Sequence, residues 1–213
     1  RARLSARKME GLESIFLDKN LGIGAAQNIG VRRAKTRGAT HVLLLDQDSL
    51  PAPDMVARLI DALRTCEAGG RRIAAVGPRI MDDRLRRVRS FRQVKLLSKR
   101  RDLCGDNQAI VSVDYLIASG CLIPMSIYDL VGLMREDLFI DYVDIEWGLR
   151  AKLRGFESIG VCAARMGHEL GDEPINLIGR TFPVRAPLRH YYMFRNAIWI
   201  YSRMPFPLTW KVI

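Results

Sequence analysis

Cysteine is scarce. The four thiols, Cys66, Cys104, Cys121 and Cys162, lie far apart with no C-x-x-C pair, which argues against a zinc site and predicts reduced cytosolic thiols packed as small hydrophobes. No uninterrupted apolar run approaches the roughly 20 residues of a membrane span; the nearest stretch, 110–125, is broken by Asp114, Gly120 and Pro124. There is no internal repeat and no low-complexity linker, so the 213 residues read as one sizeable domain with its own core. The start, Arg1-Ala2-Arg3, has neither an initiator Met nor an apolar signal core, and the chain stops in mid-pattern at Trp210-Lys211-Val212-Ile213, so both ends read as trimmed. Acid is in deficit: 23 Asp and Glu face 34 Lys and Arg, a net charge of +11. That balance points to a polyanionic partner: nucleic acid, an anionic membrane surface or phosphorylated ligands.

What is present alternates. Residues 14–17 are short, apolar and partly β-branched, as in a strand. Asn20 then offers an N-cap to a helix over 23–35, which Arg37-Gly38 ends. Residues 41–45 form a near-continuous apolar run, as in a strand buried on both faces. A helix over 53–66, with Pro53 near its start, leads to a strand over 73–77. This β-α-β-α-β order predicts an α/β layered fold with a parallel sheet. From 84 to 101 the pattern fails: the stretch is dense in Arg and Lys without one acid, and reads as a basic loop or solvated helix, or as a contact for an anionic surface. Further strands are expected over 110–118, 121–124 and 158–161. Helices are expected from Ser126 as N-cap to Val131-Gly132, over 142–154 with Gly155 closing it, and over 187–203 as an amphipathic basic helix.

Four features carry chemistry. Asp46-Gln47-Asp48 follows directly on an apolar strand. In extended chain the two carboxylates share one side about 7 Å apart, at the strand end where ligands of such sheets gather. Hard carboxylate oxygens suit Mg2+ or Mn2+, with substrate phosphate completing the shell. In Asn20-Leu21-Gly22-Ile23-Gly24-Ala25-Ala26-Gln27-Asn28-Ile29-Gly30, small residues around a helix start permit either close helix packing or ligand approach to the backbone; the G-x-G-x-x-G spacing is absent. Asp141, Asp144 and Glu146 crowd the start of a helix, as dipole-compensating acids or as the source of a general base for an acceptor hydroxyl. Asp144 and Glu146 do not share a helix face, so at most one of them meets the reacting atom. His168, flanked by Gly167 and Gly171, is either structural or a third metal ligand.

The order of these motifs resembles the inverting glycosyltransferases of family 2, and within them the rhamnosyltransferases of bacterial surface-polysaccharide assembly. The resemblance runs from Phe16 to Asn196. It is carried by Asn20-Leu21-Gly22 with Ala25-Ala26-Gln27-Asn28-Ile29-Gly30, by Leu44-Leu45-Asp46-Gln47-Asp48-Ser49, by Ala118-Ser119-Gly120-Cys121-Leu122-Ile123, by Phe139-Ile140-Asp141-Tyr142-Val143-Asp144-Ile145-Glu146-Trp147, and by Arg189-His190-Tyr191-Tyr192-Met193-Phe194-Arg195-Asn196. It implies a GT-A (Rossmann-like) mixed, mostly parallel sheet flanked by helices, lacking the family's opening base-binding strand and the acidic strand after it. The catalytic domain would span 1–186 and an amphipathic helical segment 187–213. Asp48, Asp46 and His168 would hold Mg2+ or Mn2+. Asn20, Gly22, Asn28, Asp46, Gln47, Asp48 and Gly120 would line the nucleotide-sugar site. Asp144 would deprotonate the acceptor, here preceded by Val143 where the family usually has an acid. Asp141, Glu146, Trp147, Arg189, Tyr192 and Arg195 would contact acceptor or diphosphate. The partners implied are a nucleotide-diphosphate sugar (dTDP-rhamnose as best guess) and a glycan or lipid-linked acceptor, in the cytoplasm with a peripheral contact on the inner membrane face. Two rivals stand beside this reading: a metal-dependent phosphohydrolase using Asp46 and Asp48, and a non-enzymatic basic module binding nucleic acid. The concentration of basic residues in one stretch, without an aromatic-basic motif, argues against specific nucleic-acid binding.

Overall fold

The computed structural model describes residues 11–82, 87–89, 91–95, 98–101, 104, 109–168, 175–177, 180–182 and 186–205. Within them run α1 (Ile23–Thr36), β1 (His41–Leu44), β2 (Ser49–Pro51), α2 (Met55–Ala68), β3 (Ile73–Asp82), β4 (Arg87–Arg89), β5 (Arg92–Lys95), β6 (Ser98–Arg101) and β7 (Ile110–Val113). Then follow β8 (Cys121–Pro124), α3 (Met125–Val131), a 3-10 turn (Glu136–Leu138), α4 (Val143–Leu153), β9 (Glu157–His168), β10 (Ile175–Leu177), β11 (Arg180–Phe182) and α5 (Pro187–Arg203).

Seven of these strands make one mixed sheet in the order β1-β8-β3-β9-β2, with β4 against β3 and β7 against β9. β1, β3 and β9 point the same way, as the alternation predicts, so their carboxyl ends share an edge. The parallel share is smaller than expected. β8 inserts antiparallel between β1 and β3, and among the described ladders of this sheet only β3 with β9 is parallel.

The two faces of the sheet bury different helices. α2 lays Met55, Leu59, Leu63 and Cys66 against Val76, Leu122, Ile159 and Met166. The other face carries Ala75, Cys121 and Ile123 against Val31 of α1, Tyr128 and Val131 of α3, and Val143 and Trp147 of α4. Neighbours in one strand (Ala75 and Val76; Leu122 and Ile123) thus serve opposite layers, as the two-residue period requires. Each fully buried large apolar side chain contributes about 1.5–3 kcal/mol on transfer from water.

Several local expectations are corrected. Residues 14–17 are not a strand: Ile15 and Phe16 are exposed, and β1 pairs on one side only among the described ladders, so no neighbour strand holds them. The same open edge leaves β1 partly exposed rather than buried on both faces. Asn20 does not cap α1; its Oδ1 accepts the Gly22 N–H at 3.0 Å. The Ile23 N–H at the helix start instead donates to Phe139 O at 2.7 Å. Ser126 lies inside α3, whose first N–H, from Met125, donates to Thr40 O at 2.8 Å. The basic stretch contains β4 and the antiparallel pair β5–β6 instead of a loop or helix, because backbone pairing needs no apolar alternation in the side chains. Phe91, between β4 and β5, is also described, and the other positions of the stretch lie outside the described residues. The thiols are not all reduced: Cys104 and Cys162 form a disulfide with Cα atoms 5.7 Å apart. The chain from β4 to β6 returns beside β9, where Cys162 N–H donates to Ala109 O at 3.0 Å, so partners far apart in sequence meet in space. Cys66 and Cys121 are free and buried, as expected of small hydrophobes.

Candidate functional site

Asp46, Gln47 and Asp48 occupy the carboxyl end of β1, exposed to solvent. They form a tight turn rather than the extended chain expected: Ser49 N–H donates to Asp46 O at 3.1 Å. The reason is topological. β1 ends where Leu44 pairs with Cys121, and the chain must bend to lay Ser49 opposite His168 on β9. The backbone of His168 therefore lies beside the turn bearing the two carboxylates.

The segment Ala118-Ser119-Gly120 ties that turn to α4. Gly120 N–H donates to Leu44 O at 2.8 Å. The buried Ser119 Oγ accepts the Asp46 N–H at 3.4 Å and hydrogen-bonds the Ser49 hydroxyl. Ala118 N–H donates to Asp144 Oδ2 at 3.3 Å. Asp144 Oδ1 accepts the Ile145 N–H at 2.8 Å. Asp144 thus sits half-buried in the first turn of α4, both oxygens accepting backbone N–H groups. Next to it, burial and secondarily the Asp144 charge push the Cys121 thiol well above its ordinary range. That thiol stays neutral and is no nucleophile. One three-residue segment therefore joins the Asp46–Ser49 turn to Asp144.

Other expected site residues are structural. Asn28 is 1% exposed; its amide donates to Met134 O at 2.9 Å and Glu136 Oε1 at 2.8 Å, and its Oδ1 accepts the Met134 N–H at 2.9 Å. With all these groups engaged it fastens α1 to the 134–136 segment. Gly22 is required by Phe139: a Cβ there would lie 2.6 Å from Phe139 O. Gly120 has φ +81, and a Cβ would fall 2.6 Å from Pro78 Cγ, so packing on β3 demands the glycine. Glu146 is 2% exposed and paired with Arg150, Oε1 to Nε at 2.8 Å and Oε2 to Nη2 at 2.9 Å. Trp147 is buried, its Nε1 donating to Gly132 O at 2.8 Å.

The segment before α4 is strained. Phe139 (φ 64, ψ −63) centres a γ-turn in which Ile140 N–H donates to Leu138 O at 2.7 Å. Asp141 (φ 59) and Tyr142 (φ 65) are also left-handed. Non-glycine residues held this way cost roughly 1–3 kcal/mol each and cluster at functional sites. α5 grips this segment. Arg189 donates to both Asp141 oxygens at 3.0 and 3.1 Å, and Tyr192 stacks on Phe139 with centroids 4.7 Å apart. The Arg195 guanidinium lies over Tyr192 and donates to Asp137 O at 2.6 Å. The contacts expected of Arg189, Tyr192 and Arg195 with diphosphate or acceptor are thus met, within the chain, by protein groups. Two residues missed as site members emerge, Ser119 and Asn196. The signal for Ser119 was a small polar residue between a strand and a glycine. For Asn196 it was one amide on the inner face of an otherwise apolar and cationic helix.

Among the described residues no group of three or more His, Cys, Asp or Glu is gathered as a metal cage. The donors at the turn nevertheless fit a hard cation. Asp46 and Asp48 supply exposed carboxylate oxygens, the donor type that Mg2+ or Mn2+ takes together with phosphate and water.

Comparison with known proteins bears on this geometry. The model of the family described as Glycosyl transferase family 2 matches residues 3–116. The dTDP-rhamnosyl transferase RfbF of Shigella flexneri is 30% identical over 205 residues, covering 96% of this chain and 68% of that protein. The crystal structure of GalNAc-T7 with UDP, GalNAc and Mn2+ superposes with a TM-score of 0.58 at 16% identity, over 84% of this chain and 35% of that one. A197 from STIV superposes at 0.50 with 12% identity, over 82% of each chain. Both of these are likenesses of fold.

Proposed function

Because the chain belongs to glycosyl transferase family 2, and is a glycosyltransferase with a GT-A-like fold, we propose that it transfers L-rhamnose from dTDP-rhamnose, with inversion, to a glycan or lipid-linked acceptor in surface-polysaccharide assembly. The donor follows the similarity to a dTDP-rhamnosyl transferase. The observation that carries the reading is the Ala118–Gly120 bridge, which joins the Asp46–Ser49 turn to the carboxylate of Asp144.

Asp48, Asp46 and His168 would hold a divalent ion, and Gln47 between the two carboxylates would face the nucleotide-sugar. When bound, Mg2+ or Mn2+ supplies neutralising charge for the departing diphosphate. Asp144 takes the proton of the acceptor hydroxyl as that oxygen attacks the anomeric carbon opposite the diphosphate. One displacement inverts the centre and needs no protein nucleophile, in keeping with the neutral Cys121 beside it. General-base help of this kind is worth about 10²–10⁴ in rate.

Among the described residues no helix is long and apolar enough to cross a membrane. The outer face of α5 exposes Leu188, Tyr191, Phe194 and Ile198, and the chain carries +11. We place that stripe against an anionic leaflet on the cytoplasmic side, where apolar burial and charge act together. Phe194→Glu should release the full-length protein from phosphatidylglycerol vesicles; unchanged co-sedimentation rejects the contact.

The functional test is a panel of nucleotide sugars with the full-length enzyme and Mg2+ or Mn2+. We expect dTDP-rhamnose to be turned over and Asp48→Ala to abolish metal-dependent donor binding. Normal donor affinity in Asp48→Ala rejects the metal role, and phosphate release without any acceptor points to the phosphohydrolase instead.

A further inference from the structure

The strained segment before α4 is held chiefly by one side chain. Asn196, 0% exposed, turns its Nδ2 toward Leu138 O at 2.8 Å, Ile140 O at 2.9 Å and Asp141 O at 2.9 Å. Its two N–H groups are shared among three carbonyls, of which Leu138 O also accepts the Ile140 N–H at 2.7 Å. Its Oδ1 in turn accepts Arg195 Nε at 2.9 Å and Nη2 at 2.8 Å, which fixes which end of the amide faces the carbonyls. Arg189 and Tyr192 reach the same segment from earlier turns of α5, so the helix acts as a splint along 137–141. The splinted residues end at Asp141; Tyr142, the residue before α4, comes next, and Asp144 follows two positions after it. Phe139 O is also the acceptor for the first N–H of α1. Loosening this segment therefore shifts the start of α4 and, with it, the Asp144 carboxylate against Ala118.

We propose that Asn196 is a positioning residue: it sets the orientation of Asp144 by holding the 138–141 carbonyls, without touching donor or acceptor. The proposal rests on the reading of Asp144 as general base. It accounts for a polar residue fully buried in α5, where an apolar one would pack without needing partners. It also accounts for three left-handed residues in a short segment that contains no glycine.

The test uses the full-length enzyme with dTDP-rhamnose varied up to saturation. Asn196→Asp keeps the shape but sets a carboxylate against three carbonyls. Misplacement of a reacting group by about 1 Å costs on the order of 10²-fold in rate, so kcat per folded molecule should fall by about that factor while donor KM stays at the wild-type value. Asn196→Ser, which keeps one donor, should recover part of kcat, and it carries the test if Asn196→Asp does not fold. A loss that only tracks the folded fraction, or a wild-type kcat in folded Asn196→Ser and Asn196→Asp, overturns the proposal. The premise fails separately: wild-type turnover in Asp144→Asn removes the general base, whereas an Asp144→Asn slowed by about 10²–10⁴-fold with fully active Asn196 variants removes only the splint.

Discussion

Replacing Glu146 with Ala removes the acidic half of a buried, two-pronged ion pair. The carboxylate is 2% exposed and Arg150 16% exposed, and both oxygens meet the guanidinium within 2.9 Å. Breaking a buried pair by removing one partner costs about 3–5 kcal/mol, because the other charge is left in a poor solvent. Arg150 keeps the carbonyls of Val131 and Leu133, so the loss should fall at the lower end, about 3 kcal/mol. A chain of this size loses roughly 2–4 °C in Tm per kcal/mol, hence roughly 6–12 °C here. Melting curves of wild type, Glu146→Ala, Arg150→Ala and the double variant measure it, with a coupling on the order of 0.5–3 kcal/mol expected between the two sites. A melting temperature like that of wild type, together with a raised acceptor KM, would refute the reasoning and return Glu146 to the acceptor site.

Three further outcomes follow from the geometry. The Glu157 carboxyl is held below its ordinary value by hydrogen bonds and charge from Arg71, with Ser112 assisting. Its stabilising part is therefore present above the ordinary carboxyl range and lost as pH falls through the lowered folded value; Glu157→Gln should flatten the acid limb of a stability-versus-pH curve, and an unchanged limb contradicts this. Gly120→Ala drives a Cβ to 2.6 Å from the Pro78 ring at φ +81, so the variant should melt well below wild type, and a wild-type melt would mean the loop relaxes freely. The Cys104–Cys162 bond closes a separation of 58 residues. Cys104→Ser should cost about 2–4 kcal/mol, and thiol titration of unreduced, denatured protein should count two free thiols, those of Cys66 and Cys121. Four would restore the reduced state that a reducing compartment favours.

Much of the frame is legible in the sequence because its signals are local. The apolar run 41–45 before Asp46 is a strand tip wherever it lies, and the helices read over 23–35 and 142–154 carry their own period and stops. What local signals do not report is which surface each residue meets. Glu146 and Trp147 look like site residues because acids at a helix start serve a dipole or a reaction equally well; only the position of Arg150 one turn on, facing the carbonyls after α3, decides for structure. Asn28 looks like part of a small-residue ligand cradle, yet its partners lie 106 residues away, at Met134. The extended spacing assumed for Asp46 and Asp48 failed for a related reason: the bend after Leu44 is imposed by β9, which the local sequence does not mention. The disulfide and the β4–β6 strands likewise depend on where a charged excursion returns to the sheet.

The central claim is that Asp144 and the Asp46–Ser49 turn serve one cleft across the Ala118–Gly120 bridge. Donor binding and single-turnover transfer, measured side by side on full-length Asp144→Asn with Mn2+, test it most directly. The account predicts wild-type donor affinity with transfer slowed by about 10²–10⁴-fold. Transfer at the wild-type rate would contradict it.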